Sequence, residues 1–428
     1  MTDLTPVDAA PLPEAGPLLR AADLRGLARL GIDAVGGVTD VVEGMHAAIV
    51  RPSWPIGPAG PARTRGLTGW IYRTVRGTTR IVGTGLDTVL GGLDTLAAPD
   101  RHEGAPSPRR EALLAALNGV WGDHLAATGN PLAIPMTLRV DGRVIDPAAG
   151  PAPGRGDGRR LLVMVHGLCM SDLQWRRHGH DHGAMLAESA GWTTLHLHYN
   201  SGLHVAANGH ALDALLEDLL ARWPVPVDAL ALVGHSMGGL LVRSACHAAS
   251  VAGHRWPASL SAIVCLGTPH HGAPLERVGH VVDRALGASP YAAPLARLGR
   301  GRSAGITDLR HGLLRDEDHA GDDRFANAHD TRVPTPLPAG VPVYLVAATT
   351  GERVGSRRDR WVGDGLVPLA SALGVHPDPA FALDVPRARK AVIVSADHWD
   401  LLDRPEVASR LRRWLGRAAT RPGSAAAH

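Results

Sequence analysis

Eleven residues limit what this chain can fold into more than any others: Ala229-Leu230-Ala231-Leu232-Val233-Gly234-His235-Ser236-Met237-Gly238-Gly239. A short apolar run ends in Gly-His-Ser-Met-Gly. A helical pattern then starts at Leu240, Leu241 and Val242. This is G-x-S-x-G between a strand and a helix, the setting that gives the pattern chemical meaning. The turn is sharp, so glycines flank the serine where a Cβ would clash. Ser236 then stands at the carboxyl end of a strand. The amide of Met237 opens the next helix, where the helix N-terminus favours developing negative charge.

Around this elbow, strands and helices alternate, which predicts a mostly parallel sheet flanked by helices. Strand patterns cover Leu132–Val140, Leu161–Val165, Thr193–Tyr199, Ala229–Val233, Ser261–Leu266, Val341–Ala348 and Ala391–Ser395. Asp141-Gly142 signals a hairpin turn. Helical patterns cover Glu111–Ala127, Gly183–Ala190, Asn208–Trp223, Leu240–Ala252 and Pro405–Arg417. The expected layout is a Pro/Ala-rich disordered start (1–20), a helical extension (21–130), an α/β domain (131–417) and a disordered tail (418–428). Within that domain, residues 270–340 lack a sheet rhythm and read as a lid or cap insertion.

A serine at its free pKa is a poor nucleophile and needs a base, which in turn needs an orienting acid. With 23 histidines, composition selects none of them. Position does, because elbows of this kind carry their partners in the order Ser, acid, His. His398 is the single histidine in Ala396-Asp397-His398-Trp399-Asp400, the loop after the last strand. The acid belongs after the preceding strand, where Asp364 lies between Gly363 and Gly365. Asp359, among Arg357, Arg358 and Arg360, reads as a surface charge. Oxyanion donors are expected from the amides of Met237 and of Leu168, which follows the strand ending in His166-Gly167. His166 reads as a loop buttress. His270, in Gly267-Thr268-Pro269-His270, borders the pocket and either touches substrate or shapes the loop.

Together His166-Gly167-Leu168, Gly234-His235-Ser236-Met237-Gly238-Gly239, Gly267-Thr268-Pro269-His270, Gly363-Asp364-Gly365-Leu366-Val367-Pro368 and His398 resemble the lipase/esterase branch of the α/β-hydrolases. The chain is similar there to bacterial triacylglycerol-lipase and GPI inositol-deacylase-like proteins, over about Leu161 to Leu415. The resemblance implies the α/β-hydrolase fold and hydrolysis of lipid-like or short acyl esters through an acyl-enzyme, with no cofactor. It places the triad on Ser236, Asp364 and His398. The chain departs from it in a long, Arg-rich loop before Asp364. The structural calcium site of some such lipases has no evident counterpart. Two rivals stand beside this reading: acyl transfer to an alcohol by the same triad, and a membrane-associated scaffold whose hydrolase-like domain binds a partner.

The other cues are mainly exclusions. Net charge is +3 and Lys390 is the only lysine, so no basic block points to nucleic acid. Cys169, Cys246 and Cys265 form an odd set in apolar settings, which fits buried thiols. His178, His180 and His182 have a loop spacing rather than a metal-binding one, and no metal site is expected. His196 and His198 alternate on a strand and share one face. The start lacks a basic and then apolar leader, and no charge-free run spans a bilayer, so a cytoplasmic protein is expected.

The N-terminal helices carry Arg63, Arg65, Arg73, Arg76 and Arg80 around Trp70 and Tyr72. They read either as a hairpin packed on protein or as an amphipathic surface touching lipid. If they touch lipid, liposome co-sedimentation falls when residues 1–105 are removed; equal binding by both chains leaves the hairpin.

Overall fold

Apolar runs without alternation need a sheet covered on both faces. In a computed structural model of the chain, residues 22–33, 107–151, 156–274, 303–319, 330, 332–355 and 362–417 are described. The strands are β1 Thr137–Val140, β2 Arg143–Val144, β3 Arg160–Val165, β4 Thr193–His198, β5 Ala229–His235, β6 Leu260–Leu266, β7 Val343–Thr349 and β8 Lys390–Val394. They form one sheet in the order β2-β1-β4-β3-β5-β6-β7-β8. From β4 to β8 every neighbouring pair is parallel. The β1–β2 hairpin joins antiparallel to β4. The helices are α1 (22–33), α2 Pro108–Ala127, α3 His182–Ala190, α4 Val205–Arg222, α5 Met237–Ala252, α6 Ala304–Asp308, α7 Leu369–Ala372 and α8 Pro405–Arg417.

The strand order dictates which face each helix covers. The chain steps from β3 outward to β4, then crosses back over β3 to β5. Right-handed crossovers in opposite directions put their helices on opposite faces. Accordingly Leu161, Val163 and Val165 of β3 pack with Leu212, Leu216 and Leu219 of α4 and with Leu241 and Ala245 of α5. Leu162 and Met164 pack on the other face with Leu186 of α3 and with Val407, Leu411 and Leu415 of α8. With the elbow leaving the central strand β5 into α5, this is the α/β-hydrolase fold.

The expected first strand is shorter than its apolar run. Strand pairing starts at Thr137, not Leu132. Pro135 has no N–H to give to a ladder, so pairing cannot run through it. Asp141 and Gly142 then turn the hairpin, with φ of 51° and 76°. Helix α5 begins three residues before its apolar period, at Met237, with Ser236 as N-cap.

The chain divides into two units, residues 1–110 with 125–132, and residues 111–124 with 133–428. In the first, Arg110 donates two hydrogen bonds at 2.6 Å to the carboxylate of Asp23 on α1. Asn130 Nδ2 donates to the Gly26 carbonyl at 3.0 Å. The expected helix over 67–96, most of the lid (275–302 and 320–329), Asp359 and both expected disordered ends lie outside the described residues. Among the described residues, no helix is long and apolar enough to cross a membrane.

Leu216 has no exposed surface and packs α4 on the sheet. Leu216→Ala should cost about 2–5 kcal/mol, read as a lower urea midpoint with an unchanged m-value.

Candidate functional site

From Ala229 to Cys246 every residue is buried except Ser236, which is partly open. Its backbone is at φ 55° and ψ −125°, a region a residue with a side chain enters only under strain. The surroundings hold it there. Its amide donates to the Leu266 carbonyl at the end of β6 at 2.8 Å, and its own carbonyl accepts from Gly239 at 3.1 Å. A Cβ on Gly238 would strike the carbonyl oxygens of Val165 and His166 at the end of β3. Helix α5 can therefore start directly against the sheet only with glycine there.

The loop after β3 comes up beside the elbow. A Cβ on Gly167 would stand 3.0 Å from the Ser236 Cβ. Leu168 follows at once, and Cys169 takes a positive φ of 58° while its amide donates to Ser201 Oγ at 3.1 Å. Met237 is the first residue of α5, where amides lack an intrahelical acceptor. Leu168 and Ser236 line one cleft with Met170, Leu309, Val367 and His398.

His166 supports this loop from below. Tyr199 Oη donates to its carbonyl at 2.8 Å, and the two rings stack at 4.3 Å. Its Nδ1–H donates to the Gly167 carbonyl at 2.9 Å.

Asp364 and His398 meet across the cleft floor. His398 Nδ1 lies 2.7 Å from Asp364 Oδ2, and both side chains are buried. The His398 amide donates to the Asp364 carbonyl at 3.1 Å. The other carboxylate oxygen, Oδ1, accepts the amides of Leu366 and Val367 at 2.9 and 2.8 Å. One oxygen thus closes its own turn while the other orients the imidazole. A carboxylate at Nδ1 favours the tautomer with the proton on that nitrogen. At the neck of the loop before Asp364, the Thr350 amide donates to the Gly363 carbonyl at 3.0 Å.

Sequence reasoning missed the residues that hold the His398 loop in place. His235 Nε2–H donates to the His398 carbonyl at 3.1 Å, with ring centroids 4.7 Å apart. His182 Nε2–H donates to the Leu401 carbonyl at 3.1 Å, and its Nδ1 accepts from His180 at 2.7 Å. His178 and Arg177 both reach Asp403, at 2.6 and 3.1 Å. The His-Gly-His-Asp-His run is thus a turn whose side chains grip the loop carrying His398.

His270 is turned away from the cleft. It lines a second cavity with Arg243, Asp318, Arg332 and Thr335, and Arg243 Nη1 donates to its Nδ1 at 3.3 Å. Pro269 is the member of that motif that lines the Ser236 cleft. His198 sits among Glu111, Asp172 and Arg139, with Nδ1 3.0 Å from Asp172. The three cysteines are buried and unpaired, and burial pushes each thiol up to about 12.

A model of the PGAP1-like alpha/beta domain family matches residues 157–286. No curated protein matches the chain. Among solved structures, the mature lipase BlEst2 of Bacillus licheniformis is 20% identical; the match covers 66% of this chain and 98% of the lipase, with a TM-score of 0.38. The esterase Pf2001 of Pyrococcus furiosus is 13% identical over 60% of this chain and 84% of its own, at 0.35. YbtT, a type II thioesterase of the yersiniabactin pathway, is 15% identical over 63% and 98%, at 0.38.

The histidines packed around the elbow carry no charge in the fold. Burial holds His166 down to about 3 and His182 to about 4, and drives His235 well below 6.5. Unfolded, each titrates near 6.5. Between those values the unfolded chain binds more protons, so stability is full above about pH 6.5 and is lost as pH falls toward 4. The melting temperature should hold from pH 8 to about 6.5 and then drop, each histidine contributing roughly 1 kcal/mol per pH unit. A flat profile to pH 5 would contradict this.

Proposed function

We propose that this chain is a serine hydrolase that cleaves carboxylic esters of lipid-like or short acyl groups. One observation carries the reading. Between Ala229 and Cys246 the one residue that is not buried is a strained serine, and it shares an apolar cleft with an imidazole paired with a carboxylate. The match of residues 157–286 to an α/β domain family and the fold itself are consistent with it.

In this reading Ser236 Oγ attacks the ester carbonyl while His398 Nε2 takes its proton. Asp364 holds the imidazole in the Nδ1–H tautomer and stabilises the imidazolium that forms. The amides of Leu168 and Met237 donate to the oxyanion. His398 then gives its proton to the leaving alcohol. A water, deprotonated by His398, attacks the acyl-serine and frees the acid and Ser236. Leu168, Met170, Leu309, Leu366 and Val367 supply the apolar wall against which an acyl group would lie.

The N-terminal helices are proposed as an accessory segment that either packs on protein as a hairpin or touches lipid. His270, which lines the neighbouring cavity, is proposed to shape the Pro269 wall rather than to bind substrate.

The test is hydrolysis of p-nitrophenyl esters from acetyl to palmitoyl. Ser236→Ala should lower kcat by roughly 10⁴–10⁶ and abolish fluorophosphonate labelling. Asp364→Asn should lower kcat by about 10⁴, because an amide NH2 donating to Nδ1 holds His398 in the Nε2–H tautomer, which cannot take the serine proton. An esterase rate that survives Ser236→Ala would sink the proposal.

A further inference from the structure

Helix α6 brings the chain back to the start of α4, and there Asp308 is fully buried. Its Oδ2 accepts the amide of Val205, the first residue of α4, at 2.7 Å. Its Oδ1 faces two imidazoles, with His204 Nδ1 at 3.0 Å and His319 Nδ1 at 3.7 Å. The two ring centroids are 4.0 Å apart. The three donor atoms all lie within 4.8 Å of one another.

Hydrogen bonding explains His204 but not His319. At 3.7 Å its Nδ1 is beyond hydrogen-bond reach of Asp308, and its buried Nε2 has no partner. Metal ligation through Nδ1 accounts for the placing of both rings around one carboxylate oxygen. Zinc binds imidazole nitrogen and carboxylate oxygen at about 2.0–2.2 Å, which sets donor atoms about 3.3 Å apart around a tetrahedral ion. The two observed separations bracket that value. The Val205 amide on Oδ2 fixes the carboxylate, as outer partners of metal ligands do. His204 and His319 are each part-exposed, which leaves water access to a fourth position.

Among the described residues the other cluster of this kind, Glu111, Asp172 and His198, already faces a cationic side chain. The Arg139 guanidinium stands 2.8 and 3.2 Å from its two carboxylates.

We propose that His204, Asp308 and His319 bind one divalent transition-metal ion, zinc by donor preference, with water as fourth ligand. The ion clips the 303–319 segment to the start of α4. Leu309, next to Asp308, forms part of the cleft wall beside Ser236, so the clip fixes that wall. The site stands whether or not Ser236 is a nucleophile.

The test uses the full chain, stripped with a chelator, reloaded with zinc chloride and desalted. Zinc content is measured by mass spectrometry and affinity by calorimetry. With 23 histidines in the chain, the double variant His204→Gln/His319→Gln is the reference. Wild type should retain one equivalent more zinc than the double variant, and only wild type should gain melting temperature on adding zinc. His319→Gln keeps the Asp308–Val205 and His204 bonds, so its metal-free melting temperature should match wild type while zinc binding weakens roughly tenfold or more. Equal zinc retention and affinity in wild type and variants, or no zinc retained by wild type, overturns the proposal.

Discussion

Ser236 is held in a backbone conformation that costs on the order of 1–3 kcal/mol, and the central part of the sheet is what keeps it there. Three parallel strands meet at this point. β5 delivers the residue, β6 takes its amide through Leu266, and the end of β3 leaves room for α5 only where glycine replaces a side chain. None of these contacts can relax alone, because β3, β5 and β6 are buried on both faces and locked in register. The strain is therefore stored in a place where relief would require moving the core.

A second device repeats around this centre. Neutral imidazoles serve as buried hydrogen-bond donors where a lysine or arginine would bring an unpaired charge. His235 and His182 each donate Nε2–H to a carbonyl of the His398 loop, and His166 does the same through Nδ1 for the Leu168 loop. Burying a neutral ring with its N–H satisfied costs far less than burying an ammonium. These three histidines thus serve packing and hydrogen bonding. These rings position the two loops that bracket Ser236.

What could be read from sequence tracks the range of the interaction involved. The elbow, the parallel strands and the face-covering helices depend on local period and on glycine, and those are visible along the chain. Asp364 and His398 could be picked by their order after named strands, and the structure brings them to 2.7 Å. His270 shows the limit. Its motif borders the cleft, but the orientation of one side chain is set by Arg243, 27 residues away on α5. The His204–Asp308–His319 group was invisible for the same reason, since its first two members are separated by 104 residues. Proline in the Leu132–Met136 run stopped a strand that apolar pattern alone predicted.

The bond between Thr350 and Gly363 has a further meaning for how such a chain can change over time. That bond brings the end of β7 next to the Asp364 turn, and the Gly351 carbonyl accepts the Ser395 amide at 2.9 Å close by. Closure entropy grows only slowly with the number of residues enclosed, by about 0.6 kcal/mol per doubling. Lengthening the chain between Gly351 and Gly363 would therefore cost little, because the carboxylate is placed by bonds at the two ends.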